Sequence, residues 1–335
     1  MGNYTNSKLK SDIFSPLLEK DFERIALEVY HLQYEGNKVY NTYASAMGKT
    51  PANVKQLGDI PFLPVSFFKT HDIVCGAKNE GGKIFTSSST TSDVPSRHIV
   101  NDITIYEKSF RKSFEYFYGD IKEWCILALL PSYLERSGSS LVYMAEDMVK
   151  HCANKHSGFF LNNMEDLRDK LLMLEKEGQK TLLLGVTFAL LNFSENYPLK
   201  LKHTTILETG GMKGKRQEIP RKEVHQQLIN AFGVSSIHSE YGMTELLSQA
   251  YSKGKGIFYA PSQMRIMVRD IYDPLQTGVR GQTGAINIID LANMNSCSFI
   301  ATDDVGIVHE DGSFEISGRL DQSDIRGCNL MAEEL

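Results

Sequence analysis

The stretch Thr181-Leu-Leu-Leu-Gly-Val-Thr-Phe-Ala-Leu-Leu-Asn-Phe193 decides the fold of this chain. It is the longest apolar stretch of the sequence, and it is too short to span a bilayer. A short apolar run with a β-prone start is typical of a buried strand, and the residues after Gly185 suit a helix. The stretch therefore predicts a buried strand that runs into a helix, and the sequence predicts no membrane segment.

Helical and strand patterns alternate on both sides of this stretch. Asn163 and Gly178 bracket a Leu/Met-rich helix as start and stop signals. Further along, Pro220 and Gly233 bracket a helix, and residues 235–240 follow as a short strand. Near the N-terminus, apolar residues at helical spacing predict another helix ahead of Gly36. This alternation predicts an α/β fold with layered sheets.

The pattern changes at about residue 264, where short strands replace the alternation. They are predicted over Met264 to Val268, Gly284 to Asp290, Asp304 to His309 and Ser313 to Ser317, with Asp311-Gly312 as a hairpin turn. We predict a single catalytic domain over residues 1–335. Its α/β body covers about 1–263 and includes an N-terminal helical segment, a smaller β-rich subdomain covers about 264–320, and residues 321–335 form a hinge-like tail.

Charge and composition narrow the class of partner. The 335 residues carry a net charge of -5, with a pI near 6.0. A protein surface that binds nucleic acids or anionic lipids needs concentrated Lys and Arg, so neither is an expected partner. The polar N-terminus lacks the apolar core of a signal peptide, and we therefore expect a cytoplasmic protein with a small-molecule substrate.

The cysteines indicate neither a disulfide framework nor a zinc site. Their number is odd and no C-x-x-C spacing occurs, so each is expected to be a free thiol. They are Cys75, Cys125, Cys152, Cys297 and Cys328.

Five short motifs with chemical potential follow one another along the chain. In the first, the strand Lys83 to Phe85 leads into the hydroxyl loop, which we define as Thr86-Ser-Ser-Ser-Thr-Thr-Ser92. Hydroxyl and backbone donors in such a loop can wrap phosphate oxygens. A solvated Ser/Thr loop is the alternative.

The second motif is Leu207-Glu-Thr-Gly-Gly211, and the third is Tyr241-Gly-Met-Thr-Glu245. Two glycines at a strand end let a flat heterocycle lie against bare backbone, although such a turn is common. The third motif presents an aromatic face, a hydroxyl and a carboxylate within five residues. These are the groups that stacking, phosphate contact and Mg²⁺ ligation require.

The fourth motif, Ala301-Thr-Asp-Asp304, places two carboxylates at the predicted start of a strand, where they suit a ribose diol. The fifth, Gly318-Arg-Leu-Asp321, adds a guanidinium that can bind phosphate in a bidentate way.

In this order the motifs resemble the adenylate-forming superfamily of acyl-CoA synthetases, firefly-type luciferases and peptide-synthetase adenylation domains. The resemblance covers roughly residues 60–328 and implies ATP and Mg²⁺ as cofactors. It implies the following site: Ser87, Ser88, Ser89, Thr90 and Thr91 hold the triphosphate, Gly210 and Gly211 bind adenine, Tyr241 stacks on the base, Thr244 contacts phosphate, Glu245 ligates Mg²⁺, Asp304 binds the ribose and Arg319 reaches ribose or phosphate.

The chain departs from the superfamily pattern at three places. Arg97 and His98 stand near the position of a lysine that usually follows the loop, and Asp303 replaces a glycine. Only seven residues follow Cys328, where the superfamily continues into a further domain of roughly a hundred residues, an ordinary size for a small domain. We expect that domain to be absent.

One branch of the superfamily is similar in a further respect, the acyl-protein synthetases of bacterial fatty-acid reductase. These activate a fatty acid as acyl-AMP and receive the acyl group on a cysteine near the C-terminus, and Cys328 stands at that place. The resemblance implies a fatty acid substrate, expected to be long-chain, and an acyl-accepting partner protein.

Two other functions stay open at this point. The chain can be an acyl- or aryl-CoA ligase of the phenylacetate-CoA ligase type, or a binding module that retains nucleotide or acyl-adenylate without chemistry. Cys328 has its own alternative, an inert and partly buried thiol.

Overall fold

The structure is a computed structural model that describes residues 2–15, 18–79, 81–87, 94–130, 138–161, 163–210, 219–273 and 275–320, without the side chains of residues 2–6. Its helices are α1 Gly2–Asp12, α2 Glu19–Gly36, α3 Lys38–Ala46, α4 Phe67–Thr70, α5 Ile103–Tyr118, α6 Ser140–His151, α7 Met164–Glu177, α8 Thr187–Asn196 and α9 Arg221–Phe232, with short 3-10 turns at Leu57–Asp59, Ile121–Glu123 and Leu291–Asn293.

The strands form two larger sheets and one small one. They are β1 Leu63–Pro64, β2 Lys83–Thr86, β3 Arg97–Val100, β4 Cys125–Leu129, β5 Gly158–Phe160, β6 Thr181–Val186, β7 Thr204–Thr209, β8 His238–Tyr241, β9 Ala250–Ser252, β10 Met264–Arg269, β11 Thr283–Asp290, β12 Phe299–Val308 and β13 Phe314–Arg319. The predicted α/β class is confirmed, with helices and sheets in layers.

The first large sheet contains the stretch that decides the fold. Its order is β5-β4-β6-β7-β8-β9, and all neighbours are parallel except the pair β8 and β9. Every residue of β6 is buried, and α8 begins directly after it, so the predicted strand and helix are confirmed. Because β7 and β8 are parallel, their carboxyl ends lie at the same edge of the sheet, where such folds bind ligands.

The predicted helix ends are also confirmed. The Asn163 side chain accepts a hydrogen bond from the Asp166 amide at 3.3 Å at the start of α7. Gly178 and Gly233 follow α7 and α9 in the left-handed conformation, with φ of 67° and 63°, which glycine adopts without steric cost. These caps are local interactions, so the sequence alone could indicate them.

The second large sheet has the order β1-β12-β11-β10, and β13 pairs with β12. Two predicted strand starts were wrong. β12 begins at Phe299 rather than at Asp304, because its first residues are buried and already pair with β11, as Ile300 does with Ile288. β8 begins at His238 rather than at residue 235, because its pairing with β7 begins at His238.

The N-terminal part of the chain packs directly on this second sheet. β1 pairs with β12 in parallel. The buried Gln33 of α2 donates hydrogen bonds to the carbonyl of Asn293 at 3.0 Å and to the Ser298 hydroxyl at 3.1 Å, and it accepts one from the Ser298 amide at 3.1 Å.

The division of the chain at about residue 263 stays a prediction. Among the described residues, no helix is both long enough and apolar enough to cross a membrane.

Candidate functional site

In sequence, the hydroxyl loop lies between the two strands of a small antiparallel hairpin. Its strands β2 and β3 pair Phe85 with His98. Beyond them, the Ser87 amide donates to the Ser96 carbonyl at 3.1 Å, and the Ser96 amide donates to Ser87 Oγ at 2.8 Å. Ser87, inside the hydroxyl loop, and Ser96, just before β3, are therefore held together. Four predicted triphosphate contacts lie outside the described residues: Ser88, Ser89, Thr90 and Thr91.

Three predicted site residues from distant parts of the sequence form one hydrogen-bonded group. The Tyr241 hydroxyl donates to Asp304 Oδ2 at 2.6 Å, and Arg319 Nε donates to Asp304 Oδ1 at 3.1 Å. Asp304 is buried, whereas the Arg319 side chain is 70% exposed. Phe258 and Phe314 pack against the Tyr241 ring edge-to-face. The guanidinium is thus fixed at one end and open to a ligand.

The fourth motif differs from the sequence prediction. Asp303 and Asp304 lie in the middle of β12, not at the start of a strand. Successive side chains of a strand point to opposite faces, so the two carboxylates cannot hold one diol side by side as expected. Asp304 pairs across the sheet with Arg319. The Asp303 carboxyl has a raised pKa because it is partly buried, and the nearby Arg319 opposes this shift.

Thr244 and Glu245 form a turn after β8, and the Glu245 side chain is buried. Burial raises the pKa of the Glu245 carboxyl, and the negative charge of Asp303 adds to this. A hydrogen bond from the Ser96 hydroxyl and the charge of Arg319 act in the opposite direction. The carboxylate is therefore placed next to Ser96, just before β3, and within the field of the Arg319 guanidinium.

The structure separates the roles of the two residues near the usual lysine position. His98 is fully buried, and this burial lowers its pKa to about 4, so the ring is neutral at pH 7 and supplies no positive charge. Its Nδ1 lies 2.8 Å from the Thr244 carbonyl oxygen. Arg97 is about half exposed and pairs with Asp72 at 3.4 Å. Of the two, only Arg97 is a cation.

Sequence reasoning missed the residues that hold the turn from behind. Asn293 Nδ2 donates to the Glu245 carbonyl at 2.7 Å. Asp290 Oδ2 accepts from the amides of Leu247 at 2.8 Å and Ser248 at 2.9 Å. No local pattern marks Asn293 or Asp290. Their role depends on β11 lying beside the turn, which only the folded chain reveals.

The predicted adenine motif lies at the end of β7. Gly210 has φ of 81°, a left-handed conformation that favours glycine, and Gly211 lies outside the described residues. Just before it, the buried Glu208 accepts hydrogen bonds from Thr187 Oγ1 at 2.8 Å and Ser239 Oγ at 2.9 Å. These bonds tie β7 to its neighbours on both sides, so Gly210 and Tyr241 are presented at one sheet edge.

The donor set of the site fits a magnesium ion that is also held by a ligand. The described ranges contain no group of three or more His, Cys, Asp or Glu side chains arranged to hold a metal. Glu245 offers a hard carboxylate oxygen, and a cation there would favour the charged form that burial disfavours. Mg²⁺ commonly takes one or two protein carboxylates together with substrate phosphates. Glu245 alone would suffice for such a site.

The predicted acyl acceptor, Cys328, lies outside the described residues, as does the rest of the tail after residue 320. The other cysteines are free thiols, as predicted. Burial raises the pKa of the Cys75 thiol to about 12 and also raises the pKa of Cys125 and Cys297. None of these three is suited to react as a thiolate.

Solved structures with a similar architecture define the fold class. ATP-bound MatB from Rhodopseudomonas palustris is 16% identical with a TM-score of 0.53, and the match covers 70% of this chain and 47% of that chain. A 2-hydroxyisobutyryl-CoA ligase in complex with R3-HIB-AMP is 13% identical with a TM-score of 0.67, covering 92% and 70%. The fold is that of the adenylate-forming enzymes. This chain spans about half the length of the MatB structures.

The sequence itself gives the family within that class. The family model for the acyl-protein synthetase, LuxE, matches residues 15–335. The chain belongs to the LuxE acyl-protein synthetase family. No curated protein sequence matches it.

Proposed function

We propose that this protein is an ATP- and magnesium-dependent ligase that activates a fatty acid, expected to be long-chain, as acyl-AMP. It then receives the acyl group on Cys328 and passes it to an accepting partner protein. The proposal rests on one observation above all: Ser96, which is hydrogen-bonded to Ser87 of the hydroxyl loop, lies beside Glu245, and Arg319 acts on both Glu245 and Asp304, in a chain of this family. We also propose a cytoplasmic location.

The first half-reaction activates a poor electrophile. A carboxylate oxygen of the fatty acid attacks the α-phosphorus of ATP, the bond from that phosphorus to the bridging oxygen breaks, and pyrophosphate leaves with the electron pair. The product is a mixed anhydride whose leaving group is AMP. Because charge builds up on phosphate oxygens, preorganised donors and cations around them lower the barrier.

The residues of this chain would share that task. The hydroxyl loop and Thr244 would donate hydrogen bonds to phosphate oxygens, and Arg319 would add a positive charge from its anchored position on Asp304. Asp304 keeps further lone pairs for ribose hydroxyls. A magnesium ion held by Glu245 would neutralise phosphate charge when bound.

In the second half-reaction the Cys328 thiolate attacks the carbonyl carbon of acyl-AMP. The carbon–oxygen bond to AMP breaks, AMP leaves as the anion, and a thioester forms on the protein. A thiolate is a strong nucleophile at neutral pH when its pKa is lowered, and Arg326 is the nearest cation in sequence.

The test measures the intact mass of the protein after incubation with ATP, Mg²⁺ and a panel of fatty and aromatic acids without coenzyme A. Wild type is compared with Cys328→Ser, and Cys75→Ser is the matched control because Cys75 is half-buried with a raised thiol pKa. We expect a hydroxylamine-labile acyl adduct on wild type and Cys75→Ser, and none on Cys328→Ser.

Other outcomes decide between the alternatives. Pyrophosphate release without an adduct would support the adenylation step and exclude Cys328 as the acyl acceptor. Acyl-CoA formation that survives in Cys328→Ser after coenzyme A is added would favour the CoA ligase. If nucleotide binds but neither pyrophosphate nor an adduct forms, the result would favour a binding module without catalytic activity.

A further inference from the structure

His98 holds one end of the Thr244–Glu245 turn. A carbonyl oxygen only accepts hydrogen bonds, so the contact between His98 Nδ1 and the Thr244 oxygen at 2.8 Å requires the proton on Nδ1. The ring is neutral, and Nε2 therefore carries a lone pair. Phe68 packs edge-to-face on the ring. The side chain is thus fixed in one tautomer and one orientation.

Asn293 holds the other residue of the turn in the same way. Its Nδ2 donates to the Glu245 carbonyl at 2.7 Å, which fixes the amide so that Oδ1 points away from the turn. Asn293 is fully buried at the end of the 3-10 turn after β11. Two adjacent carbonyl groups are therefore each held by one buried side chain from a different element.

His98 and Asn293 each have one further polar atom that does not contact the turn. His98 Nε2 and Asn293 Oδ1 are buried and have no hydrogen-bond partner among the described residues. In the neutral ring both atoms are acceptors. Only a protonated ring could donate from Nε2 to the Asn293 side chain, and this interaction raises the His98 pKa against the larger, opposite effect of burial. The residues His98 and Asn293 both line a small cavity of about 10 Å³, together with Leu247 and Ala292. A buried polar atom without a hydrogen-bond partner costs folding free energy, so its presence on both side chains needs an explanation.

His98 also connects the turn to the hydroxyl loop. It lies on β3, two residues after Ser96, which closes the loop and hydrogen-bonds the Glu245 carboxylate. One short segment therefore contacts the turn at its backbone through His98 and at its side chain through Ser96.

We propose that His98 and Asn293 are positioning residues: they hold the Thr244–Glu245 turn by its two carbonyl oxygens and so fix the Glu245 carboxylate where Mg²⁺ with ATP needs it. The inference rests on the proposed function, in which Glu245 binds the metal and the hydroxyl loop binds the phosphates. Partners that orient a metal ligand typically change metal affinity or activity by about 10–100-fold when removed.

The test measures equilibrium binding of ATP by calorimetry, with and without Mg²⁺, and needs no turnover. His98→Gln keeps a polar atom near Nε2 and loses the donor at Nδ1, whereas His98→Asn keeps a donor near Nδ1. We expect His98→Gln to lower the magnesium-dependent affinity for ATP by about 10-fold or more, and His98→Asn to restore most of it. Asn293→Asp, which turns the donor into an acceptor, should behave like His98→Gln.

The matched control is Gln33→Ala. Gln33 is equally buried and bonds the carbonyls of Asn293 and Met294, but it does not touch the turn. We expect it to lower the unfolding temperature and to leave ATP affinity unchanged.

The inference is overturned if His98→Gln and Asn293→Asp bind ATP with Mg²⁺ as wild type does, or if Gln33→Ala loses as much ATP affinity as they do. Failure of the proposed function has a different signature. In that case wild type binds ATP but releases no pyrophosphate with any acid, and the comparison of binding affinities still decides the role of His98 and Asn293.

Discussion

At the scale of single residues, Glu240 is a buried carboxyl group outside the motifs whose pKa the fold raises. It precedes Tyr241 on β8. Burial raises the pKa of the neighbouring Tyr106, Tyr118 and Tyr251, and the charge of Glu240 adds to this. Its Oε2 atom is buried without a hydrogen-bond partner among the described residues. Burial raises the pKa of Glu240 to about 7, so this acid titrates near neutral pH.

We predict that Glu240 makes stability fall with pH. The unfolded chain releases this proton near pH 4.5, whereas the folded protein retains it up to about pH 7. The folded state therefore binds more protons in that window, and the stabilisation present below pH 4.5 is lost as pH rises through 7. Between pH 6 and pH 8 we expect a loss of about 1 kcal/mol in the free energy of unfolding, which denaturant titrations can measure.

Glu240→Gln should remove this part of the pH dependence, because an amide does not titrate. Glu28→Gln is the control, since Glu28 is exposed on α2 and pairs only with Arg24. An equal slope in Glu240→Gln and wild type would contradict the assignment.

At the scale of elements, β12 carries a local constraint that the sequence did not show. Its register shifts between Val305 and Gly306, opposite β13. A Cβ atom on Gly306 would lie 2.0 Å from the backbone carbonyl oxygen of Glu315. Backbone cannot move aside as a side chain can, so the two strands can approach this closely only at glycine.

We predict that Gly306→Ala destabilises the protein by about 1–3 kcal/mol, the usual cost of overpacking, or more if β13 separates from β12. The control is Gly158→Ala in β5, where an added Cβ meets no atom within 4 Å. Urea unfolding of both variants measures the difference. Equal midpoints would show that the strands can relax around the methyl group.

The same elements show what the sequence could predict. The apolar run of β6 and the caps of α7 and α9 are local signals, and all three predictions were confirmed. The start of β12 was wrong because pairing with β11 extends it without a local signal. The motifs indicated Tyr241, Asp304 and Arg319 separately, but their shared hydrogen bonds depend on how the two sheets meet, and the support from Asn293 lies beyond any local pattern.

At the scale of the whole molecule, the two large sheets share one continuous hydrophobic core. β1 enters the second sheet from the N-terminal half, and Gln33 ties α2 to the segment before β12. A subdomain over residues 264–320 would share this core with the α/β body. Cooperative unfolding is the expected consequence of such sharing.

We predict a single unfolding transition. Trp124, the only tryptophan, is buried beside the first sheet, and its Nε1 donates to the Tyr118 carbonyl at 3.3 Å. Its fluorescence should therefore change at the same denaturant concentration as the far-ultraviolet circular dichroism of the whole chain. Gln33→Ala should shift both curves together. Two separated midpoints would instead support a β-rich subdomain that unfolds independently.

The burial of the described cysteines bears on where an activated acyl group can go. An acyl-adenylate is an indiscriminate electrophile that will acylate whichever thiolate it meets. Cys75, Cys125 and Cys297 are kept protonated by their surroundings, and Cys152 is enclosed with its Sγ donating to the Val149 carbonyl at 3.1 Å. Under the proposed function, this burial would protect four sulfur atoms from the acyl-adenylate, and Cys328 would be the one cysteine left to accept the acyl group.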